Sequence, residues 1–73
     1  MEKEANHKVE KILEKIRIQR IIKGFSQEYV GDQLDLSQYA YHKIENGKTK
    51  LHLNCLLKLC EVLEIEIQDL LDN

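Results

Sequence analysis

The side chains best suited to recognition chemistry crowd into residues 37–50: Ser37, Gln38, Tyr39, His42, Lys43, Lys48, Thr49 and Lys50. Each can donate or accept a hydrogen bond, and three carry an ammonium group. Their spacing does not suit catalysis. No Ser/His/Asp or Cys/His arrangement is placed to work together, and no glycine-rich phosphate loop occurs. His7, His42 and His52 are scattered without i, i+4 partners, so no metal or other cofactor is expected. What the pattern suits is display: polar tips on one face, with lysines close behind.

For those tips to point one way, a scaffold must hold them, and residues 26–46 supply it. Ser26 can cap a first short helix, because its hydroxyl accepts from an N–H one turn in. Val30 and Leu34 give that helix an apolar stripe. Asp35 and Leu36 break the pattern, and Ser37 can cap a second helix. Tyr41 and Ile44, three apart, form its inner face. Gln38, Tyr39, His42 and Lys43 are left on the outer one. A helix apolar within and polar without, held by another across a tight turn, is how a chain presents a probe to the major groove.

The chain has 73 residues, enough for one small domain whose single core supplies only a few kcal/mol. Any binding surface is therefore shallow, and neither an enclosed cavity nor a small-molecule ligand is expected. Proline is absent, only three glycines occur, and helix formers dominate without strand-like alternation, which predicts an all-α fold. Cys55 and Cys60, five apart on one predicted helix, sit about 140° apart around its axis, so they read as reduced core thiols. No apolar run reaches signal-peptide length or the roughly 20 residues of a membrane span. A cytoplasmic protein without a membrane partner is the expectation.

A formal net charge of −2 argues against a polyanion as partner until its distribution is considered. Residues 1–15 balance, with four Lys and four Glu. Residues 16–50 hold six basic side chains (Arg17, Arg20, Lys23, Lys43, Lys48, Lys50) against four acidic. Residues 51–73 hold Lys58 against five acidic. The middle would turn toward phosphates and the tail away from them.

Along the chain, residues 1–5 form a charged, flexible N-terminus, and residues 6–73 a single domain. A first helix runs from Asn6 or His7 to Lys23, with Val9, Ile12, Leu13 and Ile16 on its core stripe. Gly24 is suited to the left-handed residue that ends it, and Phe25 packs inward as a staple. Ile18, Ile21 and Ile22 fall off that stripe. Either Ile22 packs at the domain edge and the others are ordinary exposed hydrophobes or, with Phe25 or Tyr29, they form a patch for a partner. Asn46 and Gly47 signal a turn. Leu53, Leu56, Leu59, Cys60 and Leu63 make the next stripe from about His52, and Leu70 in a last helix, Gln68 to Leu71, closes the core. Leu57 and Leu71 are left over, either for a two-fold contact or to cover a core edge.

With those residues placed, the chain resembles the phage repressor and Cro-type helix-turn-helix family (XRE-like), without gaps from about Ile12 to Leu71. Ile16 and Arg20, before Gly24, Phe25, Ser26, Gln27 and Glu28, resemble the family's helix 1 end and its S-Q start of helix 2. Val30 and Gly31 fall on its Leu-Ala pair, where a small residue lets helix 3 cross closely. Ile44, Glu45, Asn46, Gly47 and Lys48 resemble its I-E-x-G-K signature. Leu53, Leu56, Cys60, Leu63, Ile65 and Leu70 fall on its helix 4–5 core positions. Asp35 and Glu64 stand where the family favours glycine. Aspartate tolerates left-handed φ, and the form of the Glu64 cap is left open.

The resemblance implies a compact five-helix repressor-like domain, not an enzyme, that binds double-stranded DNA sequence-specifically and regulates transcription. It implies an Arg20–Glu45 pair bridging helices 1 and 3, and Gln27 at a phosphate. The third helix, about residues 37–46, would enter the major groove, with Gln38 and Tyr39 foremost among the base readers and His42 and Lys43 behind them. Ser37, Lys48, Thr49 and Lys50 would contact the backbone without choosing sequence. A homodimer is expected. The alternative is a protein-interaction module on the same fold, of the antitoxin or phage adaptor type, kept open by the weak basic balance and the absence of arginine from the third helix.

Overall fold

The computed structural model describes the backbone of residues 2–72 and the side chains of residues 5–72. The chain runs α1 (Glu2–Ile22), α2 (Gln27–Gln33), α3 (Gln38–Glu45), α4 (Leu53–Leu63) and α5 (Ile67–Leu71). No strand occurs among the described residues, and the fold is all-α. The helical backbone of α1 begins earlier than its apolar pattern does. Of the stretch expected to be flexible, residues 1–5, Met1 lies outside the described residues.

Four helices end in one and the same way. After α1, Phe25 N–H donates to the Arg20 carbonyl at 3.0 Å and Gly24 N–H to that of Ile21 at 2.9 Å. The pattern repeats with Leu36 to Gly31 and Asp35 to Asp32, then Lys48 to Lys43 and Gly47 to Ile44, then Ile65 to Cys60 and Glu64 to Glu61. These are Schellman endings, in which a left-handed residue lets two N–H groups turn back onto the last carbonyls. The left-handed residues are Gly24, Asp35, Gly47 and Glu64, with φ of 74°, 59°, 77° and 56°. Asp35 and Glu64 hold that conformation against their own Cβ atoms. What compensates is the next residue: Leu36 and Ile65, like Phe25, pack against the core.

Both serine caps form. Ser26 Oγ accepts from Tyr29 N–H and Ser37 Oγ from Ala40 N–H, each at 3.0 Å. Gly31 explains the tightness of the α2–α3 turn. A Cβ there would lie 3.0 Å from the Leu36 carbonyl oxygen and 3.2 Å from that of Ser37.

The core gathers Leu13, Ile16, Val30, Leu34, Tyr41, Leu59, Cys60, Leu63 and Leu70. Two expected members stay outside. Val9 is 49% exposed, because on its side of α1 residues 47–51 wall an open groove instead of covering it. Leu53, the first residue of α4, is 66% exposed, so the buried stripe begins a turn later at Leu56. Ile18, Ile21, Leu57 and Leu71 are exposed as well, and so is Ile22, which does not pack at the domain edge because it is the last residue of α1 and is 69% exposed. Cys55 and Cys60 are free thiols, and burial pushes both up from the ordinary thiol range. At the far end Lys15 donates to the carbonyls of Asp69, Leu70 and Asp72, tying the last turn of α5 to α1.

The expected Arg20–Glu45 pair forms and is buried. Arg20 Nε donates to Glu45 Oε2 and Nη2 to Oε1, both at 2.9 Å, while Nη1 donates to the Phe25 carbonyl at 2.9 Å. The Glu45 side chain has no exposed surface and that of Arg20 is 13% exposed. Burial pushes the Glu45 carboxyl up, but hydrogen bonding and charge from Arg20, with Tyr41 and Gln27 beside it, bring it below the usual carboxylate range. The Tyr41 hydroxyl is buried nearby with no hydrogen-bond partner. Burial first, then the neighbouring Glu45, holds its phenol well above the ordinary tyrosine range.

Three melts test this description. Glu64→Gly, which removes a left-handed Cβ, should melt at higher denaturant than Glu64→Ala, which loses the same Lys23 contact but keeps the Cβ, whereas a lower midpoint for the glycine variant would mean that the strain is absent. Glu45→Ala should cost about 3–5 kcal/mol by stranding a buried guanidinium, and a loss under about 1 kcal/mol would make the pair a surface one. Because the folded Glu45 value lies below the unfolded one, its contribution is full above about pH 4.3 and fades as pH falls through the folded value. Glu45→Gln should therefore lose part of the acid sensitivity of wild type.

Candidate nucleic-acid interface

With Tyr41, Ile44 and Glu45 buried, the opposite face of α3 is turned to solvent. Ser37, Gln38 and Tyr39 are exposed, Tyr39 by 71%. His42 and Lys43 are half-buried on the same helix. The Lys43 ammonium lies 5.2 Å from the centre of the Tyr39 ring, within cation–π range, so the two tips form one unit. Gln27, Ser37, Gln38, Tyr39 and His42 line a single shallow, open depression. Five residues from two helices are thus brought together.

Gln27, the first residue of α2, is placed less freely than its helix-end position suggested. Its side-chain nitrogen lies 3.4 Å from Glu45 Oε1 and its oxygen 3.2 Å from His42 Nδ1. His42 Nε2 lies in turn 2.9 Å from Asn46 Nδ2. Asn46 reads in the sequence as a turn residue and as the variable position of the I-E-x-G-K signature, with no side-chain partner. Its spacing of four from His42 at the end of a helix is the signal that could have found the contact.

Lys48, Thr49 and Lys50 are exposed in the loop after α3. They are carried by backbone: Lys48 and Thr49 N–H both donate to the Lys43 carbonyl, at 2.8 and 3.2 Å. The loop therefore moves with α3. Of the six basic side chains in the middle of the chain, Arg20 is spent on Glu45 and Lys23 pairs with Glu64 at 2.6 Å. Arg17, Lys43, Lys48 and Lys50 remain to shape the local field, and Arg17 lines a depression with Asn46 and Gly47 beside the end of α3. Sequence counting put Arg17 in the basic middle of the chain without placing it, because only the fold brings α1 to that end of α3, where Glu10 and Glu14 line the same depression. Among the described residues, no group of three or more His, Cys, Asp or Glu could hold a metal ion, and no helix is long and apolar enough to cross a membrane.

Comparison with known proteins agrees with this geometry. The model of a family described as helix-turn-helix matches residues 16–70, from the buried Ile16 to the buried Leu70, and so covers the whole assembly of α2, α3 and the elements that brace them. No curated protein and no solved structure matches the chain. The chain belongs to the XRE-type helix-turn-helix family, a family of DNA-binding regulators.

Proposed function

We propose that this domain binds duplex DNA sequence-specifically and regulates transcription by inserting α3 into the major groove. The observation that carries the reading is the division of α3: one side buried around an ion pair, the other a row of solvent-facing polar tips. Gln38 and Tyr39 stand outermost and act as the base readers. A glutamine amide can pair with adenine N6 and N7 together. Lys43, held against Tyr39, follows with a reach suited to guanine O6 and N7. Ser37, Lys48, Thr49 and Lys50 contact phosphates at the two ends of the helix and set register without choosing sequence. Gln27 meets a phosphate at the start of α2, where backbone N–H groups point outward.

An eight-residue helix is only about 12 Å long and reads few base pairs. The domain therefore works as a homodimer on half-sites about one helical turn apart, near 34 Å.

Two substitutions separate reading from holding. Lys48→Ala should weaken binding equally on a selected site and on random duplex, and flatten the salt dependence by about one unit. Gln38→Ala should relax preference at one base position at a cost of about 1–3 kcal/mol on the selected site, leaving random duplex nearly unaffected. Equal losses on both duplexes for Gln38→Ala would remove it from the readers. Failure of wild type to prefer any duplex over random DNA would remove the proposal itself.

A further inference from the structure

From the contacts around Gln27 we infer that His42 acts through Gln27 and not on a base: it is a positioning residue that holds the carbonyl end of the Gln27 amide, whose NH2 end is turned to Glu45. The argument starts at the buried end. Glu45, held ionised by Arg20, only accepts hydrogen bonds, so the Gln27 atom facing it at 3.4 Å is the NH2. That choice turns the Gln27 carbonyl oxygen toward His42, 3.2 Å from Nδ1, so Nδ1 carries the proton. The Asn46 amide nitrogen lies beside the ring, 2.9 Å from Nε2 and 3.4 Å from Nδ1. From His42 through Gln27 to Glu45 each donor meets an acceptor, and the direction of that series is set by one carboxylate.

The consequence for recognition is specific. The Gln27 amide has two N–H donors, of which Glu45 takes one, and its carbonyl is occupied by the imidazole. The free N–H is what a phosphate oxygen can accept from. Flipped by half a turn, the same amide would offer its oxygen instead, and two acceptors would face each other. Glu45 forbids that flip, and His42, by holding the carbonyl end, keeps the amide from swinging away from that carboxylate. His42 is half-buried behind Gln38 and Tyr39, a place fitted to bracing from within.

This inference rests on the phosphate role proposed for Gln27, and a double-mutant cycle on DNA affinity tests it. His42→Ala should weaken binding about fivefold, the worth of one hydrogen bond near 1 kcal/mol, by the same factor on a selected site and on random duplex. Gln27→Ala should do as much or more, and the double variant should lose no more than Gln27→Ala alone. His42→Gln, which keeps a donor at that place, should recover most of the affinity. A thermal melt of each variant separates loss of fold from loss of placement. Losses that multiply in the double variant, or a changed base preference in His42→Ala, would overturn the inference while leaving sequence-specific binding intact. A wild-type protein with no preference for any duplex would instead overturn the reading on which it rests.

Discussion

The Glu45 carboxylate has no contact with water, and a charge in that position must be answered inside the protein. Arg20 answers it with a fork of two 2.9 Å hydrogen bonds and spends a third on the Phe25 carbonyl. The pair therefore ties together α1, the junction leading into α2, and the end of α3. An apolar contact in its place would hold the helices at a distance but would not fix the rotation of α3 about its own axis. A bidentate ion pair fixes it, because the geometry of both planes must match. With that rotation set, the polar side chains of α3 have one way to face, outward.

The helix endings contribute the second constraint. Each Schellman turn redirects the chain sharply, and three of the four send the next residue (Phe25, Leu36 or Ile65) back into the packing, so that short loops suffice between helices. Two of those turns use residues with a Cβ, at Asp35 and Glu64. The fold accepts some strain at the helix-turn-helix corner and at the start of α5. Neither residue lies on the outward face of α3. The lysines after α3 gain their placement from the third such turn, since the backbone that reverses at Gly47 carries Lys48, Thr49 and Lys50.

Most of this arrangement was legible in the residues because it depends on local chemistry. Ser26 and Ser37 announce caps by their hydroxyls, Gly24 and Gly47 announce left-handed turns, and the three-residue spacing of Tyr41 and Ile44 marks the buried side of α3. Arg20 and Glu45 are 25 residues apart, and their pairing came from resemblance and not from pattern. The Lys15 contacts with the end of α5, more than fifty positions away, left no local trace at all. Val9 and Leu53 misled for the opposite reason: their spacing matches a core stripe, but each lies where no neighbouring helix covers it. Periodicity says which side of a helix is apolar, and only the assembled fold says how far along that side is covered. The link from His42 to Gln27 belongs to the same class, since it joins two helices across a turn.

Whether α3 is the surface that meets DNA can be read residue by residue in a 15N-labelled NMR titration with a duplex selected from a random pool. The backbone amide signals of Gln38, Tyr39 and Lys43 and the side-chain amide of Gln38 should shift most, with the backbone amides of Lys48, Thr49 and Lys50 next, while α4 and α5 stay largely unmoved. Shifts gathered on α4 and α5, with the Gln38 side chain unchanged, would contradict the account.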